Sequence, residues 1–187
     1  YSVFNSRNGV LTLTGYATDF KHYICTKDMP APQVWSQVWL VGPSAVTRIV
    51  DAPEPVYIIG ERKSKNLNTG GVLEFVPGGF LKAAHLSHSD PFRSTLEEEL
   101  AEETGIESTC ISKIRPLWYG ELKQFPDGRS CRNVCLDYLM DITGITPDKV
   151  REQFAFSERE HTQLMFVKES ELISFGEENY GRFNTRG

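Results

Sequence analysis

The order of elements predicts an α/β domain built on a mixed sheet, and three observations carry that prediction. Runs of β-branched and aromatic residues alternate with polar turns in the first half of the chain. A Pro-Gly-Gly break near the middle leads to a segment with both helix-start and helix-stop signals. More strands and short helices follow, so the elements are mixed along the chain rather than segregated. At 187 residues there is room for one well-buried core and little for two. The expectation is a single domain over 1–187, with 56–175 as its core and 1–55 as an N-terminal extension packed on it.

Val10 to Thr14 alternates as a strand does, and Trp35 to Val41 reads as another. Pro30, Pro32, Pro43, Pro53 and Pro55 keep the elements of the first third short. Val56 to Ile59, the polar turn Lys65 to Gly71 and Val72 to Val76 together read as a hairpin with a long loop. Pro77-Gly78-Gly79 then breaks the sheet, and Phe80 to Ser89 has no clear period and reads as a loop. A helix over about 91–104 follows, because Ser89 or Asp90 can cap it, Pro91 suits its first turn and Gly105 its end. Strands at 111–121 and 131–142 are expected to pair across Pro126-Asp127-Gly128. Pro147 opens a helix to about Gln153, Glu160 to Val167 is the last strand, and Ser170 to Ser174 a short terminal helix.

Composition narrows the function. The net charge of −5 argues against a nucleic-acid partner, because binding a phosphate backbone rests on clustered Lys and Arg. No apolar run approaches the roughly 20 residues that cross a bilayer, and no basic-then-apolar leader opens the sequence. A chain beginning at Tyr1 reads as a trimmed piece, and the expected setting is cytoplasmic. The cysteines Cys25, Cys110, Cys131 and Cys135 are expected as free thiols, since no second pair or histidine cluster completes a zinc site around the CxxxC spacing. Five of the seven residues from 97 to 103 are carboxylates, and this concentration matters more than the total charge.

On a helix over 91–104, Phe92, Leu96 and Leu100 fall at i, i+4 and i+8 and form an apolar stripe facing the core. Glu99, Glu102 and Glu103 fall at i, i+3 and i+4 and converge on a neighbouring stripe. One reading is a solvated acidic face. Against it, like charges at i, i+4 cost about 0.2–0.5 kcal/mol per pair, and the last turn is the negative end of the helix dipole. A hard divalent cation reverses both penalties, since Mg2+ takes oxygen ligands and neutralises the cluster. The second reading is therefore a metal site.

Residues 78–106, GGFLKAAHLSHSDPFRSTLEEELAEETGI, resemble the Nudix box, G-x5-E-x7-R-E-U-x-E-E-x-G-U with U a bulky aliphatic. Glu99-Leu100-Ala101-Glu102-Glu103-Thr104-Gly105-Ile106 matches the second half at every defined position. Glu74-Phe75-Val76-Pro77-Gly78-Gly79 matches the family's entry into the box. Two departures stand out. The loop is five residues longer than the pattern, which places Asp90 at the first Glu position, and Glu98 stands where the family has an Arg that pairs with a catalytic Glu. Another cation must then take that Arg's part or the site is weakened; Arg93 is the nearest in sequence.

The resemblance implies a Nudix-type α/β/α sandwich with a mixed central sheet, and Mg2+ or Mn2+ held by Glu99, Glu102, Glu103 and the Gly79 carbonyl. It implies catalytic roles for Glu99 and Glu103, and for a further Glu near the last strand, Glu160 or Glu158, with Glu160 preferred. Arg62 and Lys63, at the end of the hairpin strand, read either as contacts for substrate phosphate or as solvated strand-end residues, as do Arg129 and Arg132. Activity is expected on a small-molecule nucleoside diphosphate derivative, whose diphosphate a metal ion would polarise and neutralise during attack by water. The stretched loop and N-terminal region are weakly similar to a branch that hydrolyses UDP-sugars; ADP-ribose and related dinucleotides stay open. The alternative is a Nudix-fold binding or regulatory module without catalysis, for which Glu98 speaks and the three retained carboxylates speak against.

Overall fold

Helix α1 spans Pro91–Thr104, and local signals set both of its ends. The Asp90 side chain accepts the Arg93 N–H at 3.0 Å, Pro91 occupies the first turn, and Gly105 stops the helix at a φ of 78° that few other residues adopt without strain. The structure, a computed structural model, describes residues 5–7, 10–12, 40–63, 71–124, 130–155 and 160–183. Among these residues the strands are β1 (Asn5–Arg7), β2 (Val10–Thr12), β3 (Leu40–Ile49), β4 (Val56–Arg62), β5 (Leu73–Phe75), β6 (Ile111–Gln124), β7 (Ser130–Ile142) and β8 (His161–Lys168). Two further helices are α2 (Pro147–Phe154) and α3 (Leu172–Glu178). The segment read as a featureless loop contains a 3-10 turn at Ala83–Ser87.

β1 and β2 form a two-stranded antiparallel pair. The other six strands make one mixed sheet in the order β5-β4-β3-β7-β6, with β8 along the other edge of β4. The two expected hairpins are both present: β4 with β5, and β6 with β7, while their turns at 64–70 and 125–129 lie outside the described residues. β3 corrects the reading of the first third. The expected strand at Trp35 to Val41 is described from Leu40 onward and continues to Ile49, through Pro43, as an interior strand parallel to β7. Residues 40–49 thus belong to the sheet and are not part of an extension laid on it.

The strand tolerates Pro43 because of what lies on that edge. Ala45 N–H donates to the Pro77 carbonyl at 2.8 Å, Gly79 N–H to Pro43 at 3.1 Å and Leu81 N–H to Val41 at 2.8 Å. The segment 77–81 therefore runs along β3 as an irregular antiparallel edge, and Pro43 contributes the acceptor that this edge needs.

Each face of the sheet is covered by helix. Ile58 packs with Leu96 and Leu100 of α1 and Val150 and Phe154 of α2, whereas its neighbour Ile59 packs with Leu73 and Val167 beside Leu172 and Phe175 of α3. Successive strand residues point to opposite faces, so this alternation produces the three layers of an α/β/α sandwich. Leu96 and Leu100 are fully buried and each contributes about 1.5–3 kcal/mol from burial; Phe92 is only half-buried. Cys110 is a free thiol. No helix among the described residues is long and apolar enough to cross a membrane.

Candidate active site

The Pro77–Leu81 edge delivers Pro-Gly-Gly to the flank of α1, where two glycines permit contacts that no other residue would. A Cβ on Gly79 would lie 2.5 Å from the Glu99 carboxyl carbon, so the Glu99 carboxylate rests directly on the Gly79 backbone. A Cβ on Gly42 would lie 2.2 Å from the Gly79 carbonyl oxygen. Opposite Gly79 stands Pro43, which accepts the Gly79 N–H and has no N–H to return to the Gly79 carbonyl. The expected backbone ligand is thus a carbonyl whose ladder partner is a proline, lying close to Glu99.

Glu103 is 3% exposed, and its Oε2 accepts the Gly78 N–H at 3.3 Å. Burial, with the charges of Glu74, Glu99 and Glu160 near by, holds its carboxyl well above the usual carboxylate range, against the pull of Arg62. Burial also raises Glu99, opposed by Lys82 and reinforced by Glu102 and Glu160. Glu102 is the most exposed of the three box carboxylates.

Arg62, at the end of β4, is held between two carboxylates: its Nε lies 2.8 Å from Glu74 Oε1, and its terminal nitrogen bonds Glu160. Glu160 immediately precedes β8 and its backbone carbonyl accepts the Lys63 N–H at 3.0 Å, so Arg62, Lys63 and Glu160 share one corner. Glu158 lies outside the described residues. Glu74 Oε1 is also 2.9 Å from Nε2 of the fully buried His161, whose Nδ1 has no hydrogen-bond partner among the described residues. Gly60 gives this imidazole its room, since a Cβ there would lie 2.5 Å from the ring.

The counter-cation for the box comes from an unexpected place. Lys82 Nζ lies 3.0 Å from Glu98 Oε1, 3.3 Å from Glu99 Oε1 and 3.6 Å from Glu102 Oε2. Burial works against the Lys82 charge, but the hydrogen bond to Glu98 and the charges of Glu99 and Glu102 outweigh it and raise its pKa. The same hydrogen bond lowers that of Glu98. His85 Nε2 lies 2.8 Å from the other Glu98 oxygen, and its Nδ1 is 2.9 Å from Thr95 Oγ1, which fixes the lengthened loop on α1. Arg93, the nearest cation in sequence, instead pairs with Glu97 at 2.8 Å.

Of the residues singled out from the sequence, Gly79, Glu99, Glu102, Glu103, Arg62, Lys63 and Glu160 lie on this side of the sheet, and beside them stand Lys82, His85, Glu74, His161, Gly42 and Pro43, which the sequence did not single out. A carboxylate inside the apolar run Leu73 to Val76 was the one available signal for Glu74.

The residues present suit a hard divalent cation. Glu74, Glu98, Glu99, Glu102, Glu103 and Glu160 repel one another and share the guanidinium of Arg62 and the ammonium of Lys82, which leaves an excess of anionic oxygen. As they stand, no three His, Cys, Asp or Glu side chains among the described residues are gathered tightly enough to hold an ion. Lys82 occupies the space that Glu99 and Glu102 share.

The sequence matches no family model and no curated protein. Solved structures do match. A NUDIX hydrolase from Alicyclobacillus acidocaldarius aligns with a TM-score of 0.55 at 10% identity, over 76% of this chain and 85% of its own. The NUDIX domain of Shewanella oneidensis NrtR, complexed with ADP ribose, aligns at 0.50 and 14% identity, over 84% of this chain and 88% of its own. A MutT/nudix family protein from Enterococcus faecalis gives 0.50 and 14%, over 82% of this chain and 57% of its own. At such identities the likeness is one of fold, and that fold is the Nudix fold.

Proposed function

On this Nudix fold, we propose a metal-dependent hydrolase that cleaves the diphosphate linkage of a nucleoside diphosphate derivative. The observation that carries the reading is the convergence of the Glu99 carboxylate on Gly79 with the buried Glu103 on Gly78. A stability-driven sequence has no reason to bury a carboxylate among others. Glu99, Glu102, Glu103 and the Gly79 carbonyl would hold Mg2+ or Mn2+, which supplies charge neutralisation at the diphosphate and a water of lowered pKa.

The chain's own residues do the rest. Glu99 and Glu103, resting on Gly79 and Gly78, stand where a proton from an attacking water would be accepted. Arg62 and Lys63 sit at the same corner as Glu160 and favour an anionic substrate group there. Arg62 is already engaged by Glu74 and Glu160, so phosphate binding requires it to share or exchange one of those partners. The ADP ribose bound by the Shewanella domain supports a nucleoside diphosphate attached to a sugar as the first substrate class to try.

The contact of Lys82 with two expected ligands favours a second reading, a binding module that holds such a ligand without cleaving it. A panel of ADP-ribose, UDP-sugars and dinucleoside polyphosphates, incubated with Mg2+ or Mn2+ and assayed for nucleotide release, separates the two. Metal-dependent release of a nucleoside monophosphate is expected. Tight binding of a panel member with no release in either metal would overturn the hydrolase in favour of the module.

A further inference from the structure

The side chain of Lys82 comes from the part of the loop that departs from the family pattern, yet its ammonium meets three carboxylates at 3.0, 3.3 and 3.6 Å. We propose that Lys82 is a resident counterion of the site: it positions Glu99 and Glu102 in the ion-free protein and yields them to a divalent cation while staying tethered to Glu98. The proposal rests on the reading of Glu99 and Glu102 as ion ligands.

Three features of the chain support it. An ion such as Mg2+ must come to about 2.0–2.1 Å from its oxygens, so it and the ammonium compete for the same lone pairs of Glu99 and Glu102. Lysine suits an exchange of this kind, because its charge is compact and rides on a flexible stem, whereas the planar guanidinium of arginine favours a fixed two-oxygen grip. The side chain is also 37% exposed, so it has water to retreat into. Its tether does not move with it. Glu98 is gripped from the far side by His85, which is buried and bonded to Thr95 of α1.

This arrangement also accounts for Glu98. Where the family pattern has a cation on the helix, this chain has an anion on the helix and brings the cation from the loop. An ordinary surface ion pair contributes little and touches one partner; Lys82 touches three carboxylates that would otherwise repel one another.

Mn2+ alone is the probe, with the intact chain as wild type, Lys82→Met and Lys82→Arg. Melting temperature is read in chelator and in saturating Mn2+, and Mn2+ affinity is read by calorimetry. Lys82→Met is expected to melt lower than wild type in chelator, to bind Mn2+ at least about threefold more tightly because one repelling charge is gone, and to gain more from Mn2+ than wild type does. Lys82→Arg is expected to keep the chelator stability of wild type. Mn2+ affinity in Lys82→Met equal to or weaker than that of wild type, including no binding in either, would overturn the proposal. Turnover is measured separately. Unchanged Mn2+ affinity alongside normal hydrolysis sinks only the counterion, whereas tighter Mn2+ binding without hydrolysis of any panel substrate sinks only the enzyme reading.

Discussion

Helices α1 and α2 begin in the same way and handle charge in opposite ways. Each opens on a capping residue followed by proline, Asp90-Pro91 and Thr146-Pro147, and in each the cap side chain accepts the N–H three residues on. α2 then balances its own charge: Arg151 pairs with Asp148, and Lys149 with Glu152 at 3.2 Å, one turn apart and exposed. α1 does this once, with Arg93 and Glu97. Its remaining carboxylates rely on Lys82 from the loop or, for Glu103, on a backbone N–H and the charge of Arg62 from β4. A helix that only has to be solvated carries its own counterions. α1 leaves a negative surplus on the side that faces Pro-Gly-Gly, and that surplus is what a divalent cation would use.

Breaking the comparison at its strongest point gives the largest effect. Glu99→Gln and Glu103→Gln are each expected to reduce turnover by at least about 100-fold, since a bound metal supplies several kcal/mol to the transition state. Glu152→Gln, its counterpart in charge on α2, is expected to leave kcat unchanged. Steady-state rates on whichever panel substrate is cleaved, with circular dichroism as the control for folding, decide this. Equal losses at Glu103 and Glu152 would mean that the acidity of α1 has no special role.

The next effect is on stability and runs the other way. The folded protein raises the Glu103 pKa. Its contribution to stability is therefore fully present below the ordinary carboxylate range and is lost as pH rises through the raised value. In metal-free buffer near pH 8, Glu103→Gln is expected to be more stable than wild type by about 1–3 kcal/mol, the cost of leaving a buried polar group poorly compensated. Near pH 4 the gap should close. Glu98, whose pKa is lowered, contributes in the opposite sense, and its share is lost as pH falls. Urea denaturation in chelator at the two pH values tests both signs, and a Glu103→Gln variant less stable than wild type at pH 8 would show that the carboxylate is satisfied without a metal.

The helix ends were legible because their signals are local: Asp90, Pro91 and Gly105 act within one turn of where they stand. The run of β3 through Pro43 was not, because a proline reads as a stop until Gly79 is known to lie opposite it. The partner of Glu98 was hidden for the same reason. Lys82 is sixteen residues away, across a loop whose path depends on His85 docking against Thr95. The set of box carboxylates could be read from helical spacing, but the charge that Glu103 meets depends on β5 bringing Glu74 to that side. Spacing within an element is written in the sequence, whereas contacts between elements depend on the finished sheet.

The smallest effect sharpens the other half of the comparison. Lys149→Met and Glu152→Gln on α2 are each expected to change stability by less than about 0.5 kcal/mol, as for other exposed pairs at helical spacing. Denaturation midpoints in 0.15 M salt check this. A larger loss would mean that the self-balanced helix depends on its charges after all.

The central claim is that the surplus charge of α1 binds a divalent cation, and Mn2+ binding measured by electron paramagnetic resonance tests it directly. Free Mn2+ gives a strong six-line signal that weakens on binding. Titrating wild type and a Glu99→Gln/Glu103→Gln double variant at matched concentrations, the account predicts saturable loss of signal in the wild type and a loss weakened by at least about tenfold in affinity in the variant. A double variant that takes up Mn2+ as wild type does, or a wild type that takes up none, would contradict it.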